Sequence, residues 1–280
     1  QGIDVAALSM LGSFSWTERL PAAEGLPLLR LYNDSVSAIC TAHPQRFVAF
    51  ACVPQTDMAA AAAEFERAIK LPGIIGVLMP GNAFSDRKSA EQVRPVMAVA
   101  HRHRAVVFIH NGPRPGDPWP KVAGDVDNAR RRNGTLDMQA SLSSVMVTLC
   151  LTDYLAEFPE ARIQVHNLGG NIPYEIERMD HRCLLDTPEE ELPSKRFARS
   201  KVFVDCNSFG SRAIESGFRL YGSERIVFGT DGTEFGCEWS SRALDESDLS
   251  HDARERIYSK NALAMFGHLA PTLAGQRQAA

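Results

Sequence analysis

Seven short, apolar segments recur along the chain, and each is followed by a longer stretch with helical periodicity. The segments are Asp4–Met10, Phe47–Pro54, Gly73–Pro80, Ala105–Gly112, Arg162–Gly169, Lys201–Ser208 and Arg225–Gly232. Nearly all are continuously apolar rather than alternating, which is typical of strands buried on both faces in a parallel sheet. Repeated strand–helix units without hairpin signals predict an α/β architecture.

The intervening helical stretches have the lengths expected of helices that cover such a sheet. They are Leu26–His43, Asp57–Lys70, a segment ending at Arg104, Leu136–Phe158, Ile172–Leu185, Ser211–Tyr221 and Ser250–Phe266. No repeat, low-complexity segment or linker divides the chain. We therefore expect one domain that spans residues 1–280.

Two α/β architectures fit this pattern, a (β/α)8 barrel and an open doubly wound sheet. The length of 280 residues is close to the roughly 250 of a typical barrel. The first strand is followed by neither GxGxxG nor GxxxxGK[ST], which disfavours a nucleotide-dependent doubly wound enzyme. A barrel has eight strands, however, and the periodicity alone does not choose between the two folds.

Charge and cysteine content exclude several classes of function. The net charge of −4 gives no electrostatic basis for binding nucleic acid or anionic membranes. No apolar run is long enough to cross a bilayer. The six cysteines are widely spaced, and several lie in apolar runs, so we interpret them as buried free thiols. This pattern predicts a cytoplasmic protein.

Polar side chains end several of the predicted strands. His110, His166 and Asp231 each follow an apolar run, and Asp205 and Asn207 follow another. The C-terminal ends of barrel strands carry the catalytic groups, so these side chains are expected at one rim. Imidazole and carboxylate ligands suit a divalent metal ion such as zinc, manganese or iron, with an open position for water.

Each of these residues also has a structural interpretation. A single histidine at a strand end is more often hydrogen-bonded than metal-bound, and Asp231, which precedes Gly232, is compatible with a turn. We interpret Asp205 as a turn or helix-capping residue. The remaining six histidines lie at helix ends or in polar helical segments and are interpreted as structural or solvated: His43, His101, His103, His181, His251 and His268.

The ordered series of motifs resembles the amidohydrolase-related family, especially its aminocarboxymuconate-semialdehyde decarboxylase-like branch. The motifs are FIH ending at His110, QVHNLGG around His166, VFGTD ending at Asp231 and NALAMFG at 261–267. The resemblance implies a (β/α)8 TIM barrel with one divalent metal ion, usually zinc, in which His110 and Asp231 are ligands. It implies for His166 the role of acid/base or of an additional ligand.

The chain departs from the family pattern in three places. The family carries a His-x-His pair on its first strand, whereas this chain starts at what the family would call the second strand. The first strand is thus absent from this sequence, and we expect an N-terminal segment in the natural protein. A degenerate paralogue and a strand supplied by a neighbouring chain are the alternatives. Asn167 stands where a glycine is usual, and the loop after Asp231 lacks the usual aromatic residue and proline.

The resemblance implies a metal-dependent lyase or hydrolase that acts on a small aromatic or unsaturated carboxylic acid. Decarboxylation is favoured slightly over hydrolysis of C–C, amide or lactone bonds. His166 and Asp231 are the predicted catalytic residues, and Arg114, Asn167 and Asn207 are predicted to contact substrate. Arg130–Arg132 are further candidates in the long loop Gly112–Gly134, since guanidinium pairs with carboxylates.

A second hypothesis is a catalytically inactive barrel that acts as a binding or regulatory subunit. Without His-x-His the chain offers two or three metal ligands, so tight metal binding is not assured. In either case we expect a homodimer, because helix-covered barrels commonly self-associate and exposed strand edges would promote pairing.

Overall fold

The computed structural model describes residues 2–10, 16–118, 128–207, 209–232 and 235–276. Ser208, at the end of the sixth predicted strand, lies outside the described residues, as do 119–127 of the predicted loop Gly112–Gly134.

The seven predicted strands form one parallel sheet in which neighbours in sequence are neighbours in space. The strands are β1 (Ala6–Leu8), β2 (Phe47–Ala51), β3 (Ile74–Pro80), β4 (Val106–His110), β5 (Arg162–Val165), β6 (Val202–Asp205) and β7 (Ile226–Val227). The strands follow one another across the sheet in sequence order, from β1 to β7, as in a curled barrel-type sheet. In a doubly wound sheet the strand order would reverse part-way across the sheet. Within the described residues β1 and β7 do not pair with each other, so the sheet stays open between them.

Thirteen α-helices occur in the described residues, mostly between the strands. They are α1 (Ala22–Ala42), α2 (Met58–Ala68), α3 (Arg87–Gln92), α4 (Arg94–His103), α5 (Ala129–Arg131), α6 (Met138–Leu151), α7 (Ile172–Asp186), α8 (Pro193–Arg199), α9 (Ser211–Tyr221), α10 (Cys237–Asp245), α11 (His251–Glu255), α12 (Asn261–Phe266) and α13 (Pro271–Gln276). π-Helical turns at Arg132–Asp137 and Arg256–Lys260 join α5 to α6 and α11 to α12. No helix among the described residues is long and apolar enough to span a membrane.

Strand side chains alternate between two buried layers. On β2, Ala49 and Ala51 pack in the larger cluster with the covering helices, while Val48 and Phe50 belong to a second cluster with Val227 and Met265. Because successive side chains point to opposite faces, both faces of the sheet are covered, which explains the continuously apolar strands. All six cysteines are free and buried, as predicted.

Candidate functional site

The period of two in the strands brings the predicted site residues to the inner face of the sheet. His110 lies two residues after Phe108, and Phe108 packs against the second cluster, on the inner face of the sheet. Asp205 lies two residues after Phe203, which packs against the same cluster. Side chains two apart share a face, and parallel strands end at one rim. The fold therefore gathers these polar groups at the C-terminal ends of β4, β5 and β6.

His110 and His166 lie side by side at this rim. Their ring centroids are 4.1 Å apart, with 35° between the ring planes. His110 Nδ1 lies 2.8 Å from the Asn111 carbonyl oxygen, which accepts its proton and assigns any metal contact to Nε2. Burial and the neighbouring His166 lower the pKa of His110 to about 3. The imidazole of His110 is therefore neutral at physiological pH, the form that binds a metal ion.

His166 is held from behind by a hydrogen-bonded pair, Asp205 and Asn207. Asn207 Nδ2 lies 2.6 Å from Asp205 Oδ1 and 2.9 Å from His166 Nδ1. Asp205 Oδ2 lies 3.7 Å from the same ring nitrogen. His166, Asp205 and Asn207 are all at least 97 % buried, with exposed fractions of 3 %, 2 % and 2 %.

Asp205 is ionised despite its burial. Burial favours its protonated form, but His166 and hydrogen bonds from the Asn167 backbone and Gln164 outweigh it and hold the pKa below its usual value. An ionised carboxylate only accepts hydrogen bonds, so the amide of Asn207 must present its NH2 group to it. The interpretation of Asp205 as a turn or capping residue of its own segment is corrected by these contacts: its carboxylate accepts from Gln164 on β5, from the Asn167 N–H after β5 and from Asn207, and so it supports His166.

Glycine at position 229 permits the approach of the last strand to this pair. A Cβ atom there would lie 2.9 Å from Asp205 Cβ and 3.3 Å from Asn207 Cβ. Any larger residue would have to displace the carboxylate that supports His166. The glycine in the VFGTD motif thus has a packing explanation.

The backbone turns sharply after His166. Asn167, Leu168, Gly169 and Gly170 all have positive φ, between 51° and 80°. Two non-glycine residues in this region cost about 1–3 kcal/mol each. Two contacts hold the turn: the Asn167 N–H donates to Asp205, and Tyr221 Oη donates to the Leu168 carbonyl at 3.0 Å. The turn therefore fixes the end of β5, and with it His166.

Asp231 lies on the wall of the same cavity, in a left-handed conformation with φ 47°. Its carbonyl accepts a hydrogen bond from the Phe235 N–H at 3.1 Å, so it does shape a turn. Within the described residues, no three His, Cys, Asp or Glu side chains form a group that could hold a metal ion. The predicted ligands His110, His166 and Asp231 are thus not drawn together as one such group in this structure.

The cavity that contains these residues has a volume of about 1920 Å³. It runs from the rim, at His110 and His166, down to the opening in the sheet, where Gly2–Met10 and Val227–Gly232 line it. Its rim is also formed by the segment from Ala129 to Ser141. The space is large enough for a small aromatic acid, since ligand pockets commonly measure about 300–1,000 Å³.

Two of the three predicted substrate contacts line this cavity, Asn167 and Asn207. Arg114 does not: its Nη1 donates to Ser89 Oγ at 3.0 Å, and its Nε lies 3.6 Å from Asp117. The guanidinium is thus engaged outside the cavity wall, and the structure gives no support to Arg114 as a substrate contact. Arg130, the alternative in the same long loop, does line the cavity.

Known proteins resemble this chain over most of its length. The sequence profile of a family described as Amidohydrolase matches residues 21–268. The chain belongs to the amidohydrolase family. It is 26 % identical over 271 residues to a gamma-resorcylate decarboxylase from Rhodococcus jostii, which covers 88 % of this chain and 80 % of that protein. It is also 26 % identical over 255 residues to a 6-methylsalicylic acid decarboxylase from Penicillium expansum, covering 86 % and 75 % respectively.

A solved amidohydrolase-fold decarboxylase confirms the barrel-type fold. The dihydroxybenzoic acid decarboxylase from Polaromonas sp. JS666, solved with bound manganese and 2-nitroresorcinol, superposes with a TM-score of 0.76. The match covers 95 % of this chain and 82 % of that one at 20 % identity, so it carries the fold alone. The predicted barrel is thus confirmed, while the roles of individual residues stay predictions.

Proposed function

We propose that this chain catalyses the non-oxidative decarboxylation of a small aromatic carboxylic acid. The observation that carries the proposal is the supported His166 at the rim of a cavity of suitable size, next to His110. Two of the similar proteins are named as decarboxylases of gamma-resorcylic acid and of 6-methylsalicylic acid, and this similarity favours decarboxylation over hydrolysis. Both of those acids carry a hydroxyl next to the carboxylate, and we infer the same substrate class.

The carboxylate of Asp205 behind His166 suits it to donate a proton. The ionised Asp205, whose Oδ2 lies 3.7 Å from His166 Nδ1, stabilises a protonated imidazolium, which becomes a neutral imidazole when it releases the proton on Nε2. In decarboxylation the bond between ring and carboxyl carbon breaks, CO2 leaves, and the electron pair stays on the ring carbon. That carbon then needs a proton, which His166 Nε2 can supply.

We further propose one divalent metal ion at this rim, with His110 and Asp231 as ligands and His166 beside them. Zinc, expected from the ligand types, and manganese, present in the Polaromonas structure, both accept imidazole and carboxylate. That the described residues form no such group of ligands is the one observation that favours the second candidate, a non-catalytic barrel.

The reaction is tested by incubating the chain with γ-resorcylate and with 6-methylsalicylate and measuring the phenols formed by chromatography. His166→Asn should lower the rate about 10²- to 10⁴-fold, the usual contribution of a general acid. His181→Asn is the matched control, since His181 is exposed on α7. Turnover that survives His166→Asn unchanged would contradict the assigned role, and no turnover of either acid would contradict the proposed substrate class.

Metal content separates the two candidate functions. About one divalent ion per chain, lost in His110→Ala and in Asp231→Ala, is the result expected of the enzyme. A chain that takes up neither zinc nor manganese after soaking would be the non-catalytic barrel. His251→Ala, on an exposed residue of α11, should leave the metal content unchanged.

A further inference from the structure

One polar helix face lines the rim of the cavity. Five residues of the continuous helical segment from α5 through the π-turn into α6 contribute to it: Arg130, Asn133, Gly134, Asp137 and Ser141. Ala129, Thr135, Met138 and Gln139 of the same segment also line the cavity. Arg130, Gly134 and Asp137 are exposed at this lining, so polar groups of the segment are open to a ligand that enters the cavity.

This helix lies above the C-terminal ends of β3 and β5. Ser141 Oγ donates to Asn82 Oδ1 at 3.4 Å, just after β3, and the Asn171 N–H donates to Ser143 Oγ at 2.8 Å, after β5. Gly170 has no side chain at the crossing point, where a Cβ atom would lie 2.3 Å from the Gln139 carbonyl. The polar face is therefore held over the rim that carries His110 and His166.

Arg130 is the cation that this face brings to the rim. Among the described residues that line the cavity, the other arginine is Arg46, which lies before β2 at the opposite end and donates to the Ile3 carbonyl at 2.9 Å. Four aspartates line the same cavity: Asp4, Asp137, Asp205 and Asp231. Carboxylates alone would repel an anionic substrate, so an acid that enters here needs a positive partner.

We propose that Arg130, assisted by the Asn133 side chain, binds the carboxylate of the substrate. The inference rests on the proposed function and adds the residue that selects for an acid. Guanidinium offers two parallel N–H donors to a carboxylate, and the amide NH2 group of Asn133, one helical turn away, adds a third. After CO2 has left, the phenol product carries no such anion. Arg130 therefore favours binding of the acid over retention of its product.

The test compares an acid with the phenol that it yields. The dissociation constants of γ-resorcylate and resorcinol are measured by calorimetry on the full chain and on Arg130→Gln, with KM and kcat for γ-resorcylate. Arg130→Gln should raise the dissociation constant of γ-resorcylate about 10- to 100-fold and change that of resorcinol by less than about twofold. Arg130→Lys, which keeps the charge without the fork, should fall between wild type and Arg130→Gln.

Arg131→Gln is the matched control. Arg131 is the next residue of the same helix, its Nη1 donates to Asn128 Oδ1 at 2.9 Å, and it does not line the cavity. This variant should bind both ligands as the wild type does, which excludes a general effect of removing positive charge from the helix.

The remaining outcomes each overturn a defined statement. Equal weakening of γ-resorcylate and resorcinol by Arg130→Gln would assign Arg130 a structural role and overturn the inference. Unchanged affinity for γ-resorcylate in a chain that decarboxylates it would overturn the inference and leave the proposed function standing. A wild-type chain that neither binds nor decarboxylates any of the acids tested would overturn both.

Discussion

Glu18 is the most unusual single residue outside the cavity, because it is an acid that is only 1 % exposed. It lies in a short 3-10 helix, and its Oε2 has no hydrogen-bond partner among the described residues. Burial raises its pKa to about 8, although a hydrogen bond with Cys52 opposes the shift. The other ionisable groups that face it are Tyr32 and Cys52, and both have raised pKa values, chiefly through burial.

Glu18 makes the stability of the fold pH-dependent. Its pKa rises from 4.5 to about 8 on folding, so between these values the unfolded chain has released a proton that the folded chain keeps. The free energy of unfolding therefore falls as pH rises across that window, by about 1.4 kcal/mol per pH unit as an upper limit. Glu18→Gln removes this pH-dependent loss of stability and should raise the free energy of unfolding at pH 7 by roughly 3 kcal/mol or less.

Urea unfolding of wild type and Glu18→Gln at pH 5, 6, 7 and 8 measures the effect. The difference between the two proteins should grow with pH, whereas Glu24→Gln, on an exposed residue of α1, should run parallel to wild type. A constant difference between wild type and Glu18→Gln would show that Glu18 does not change its protonation on folding.

At the residue scale the sequence predicts which groups meet but not how each one is supported. One rim carries His110, His166 and Asn207, because each follows an inward-facing strand position. The alternation of side chains along a strand is enough to predict this placement. The support of His166 by Asp205 depends on contacts across two strands, and no local pattern encodes them. The engagement of Arg114 by Ser89 and Asp117 depends on the fold in the same way.

At the scale of elements, the existence of the strands could be predicted and their ends could not. The last predicted strand, Arg225–Gly232, pairs only at Ile226–Val227. Beyond Val227 the Phe228 N–H donates to the Ile257 carbonyl, in the π-turn between α11 and α12. A tertiary partner thus replaces the neighbouring strand, and such a partner leaves no trace in the hydrophobic pattern.

Arg225 joins three elements through its guanidinium. Its Nε donates to the Tyr221 carbonyl at the end of α9, and Nη1 donates to the carbonyls of Phe197 and Ser200 at 2.7 and 2.6 Å. Nη2 donates to the Ala198 carbonyl at 2.8 Å. These carbonyls lie at or just beyond helix ends, where backbone acceptors lack partners within the helix. Arg225 therefore secures α8 and α9 against the start of β7.

Arg225→Lys should destabilise the fold by about 2 kcal/mol, because one ammonium group cannot reach all of these carbonyls and part-buried acceptors lose their donors. Denaturant unfolding of the variant gives the value. Arg219→Lys serves as the control, since Arg219 lies exposed on α9, and it should change stability by less than about 0.5 kcal/mol. Equal stability of both variants would mean that water satisfies these carbonyls as well as Arg225 does.

At the scale of the whole molecule, the main feature is the opening in the sheet between β1 and β7. β1 pairs only with β2 and β7 only with β6 in the described structure, whereas β3 and β4 have partners on both sides. The cavity reaches this opening, which makes the two edges the least protected part of the sheet. The homodimer expected from such edges stays a prediction, as does the cytoplasmic location.

Hydrogen exchange of backbone amides measures directly whether these edges are covered in solution. If the sheet stays open, amides of β1 and β7 should exchange at least about 100-fold faster than those of β3 and β4, because edge groups open without breaking the core. The amides of β3 and β4 in the same sample serve as the internal reference. Equal protection of β1, β7 and β4 would contradict an open sheet.

Repeating the measurement over a 100-fold range of chain concentration then identifies what covers the edges. Protection that is lost on dilution belongs to a second copy of the chain, since only association depends on concentration, and protection that persists belongs to a sheet closed within a single molecule.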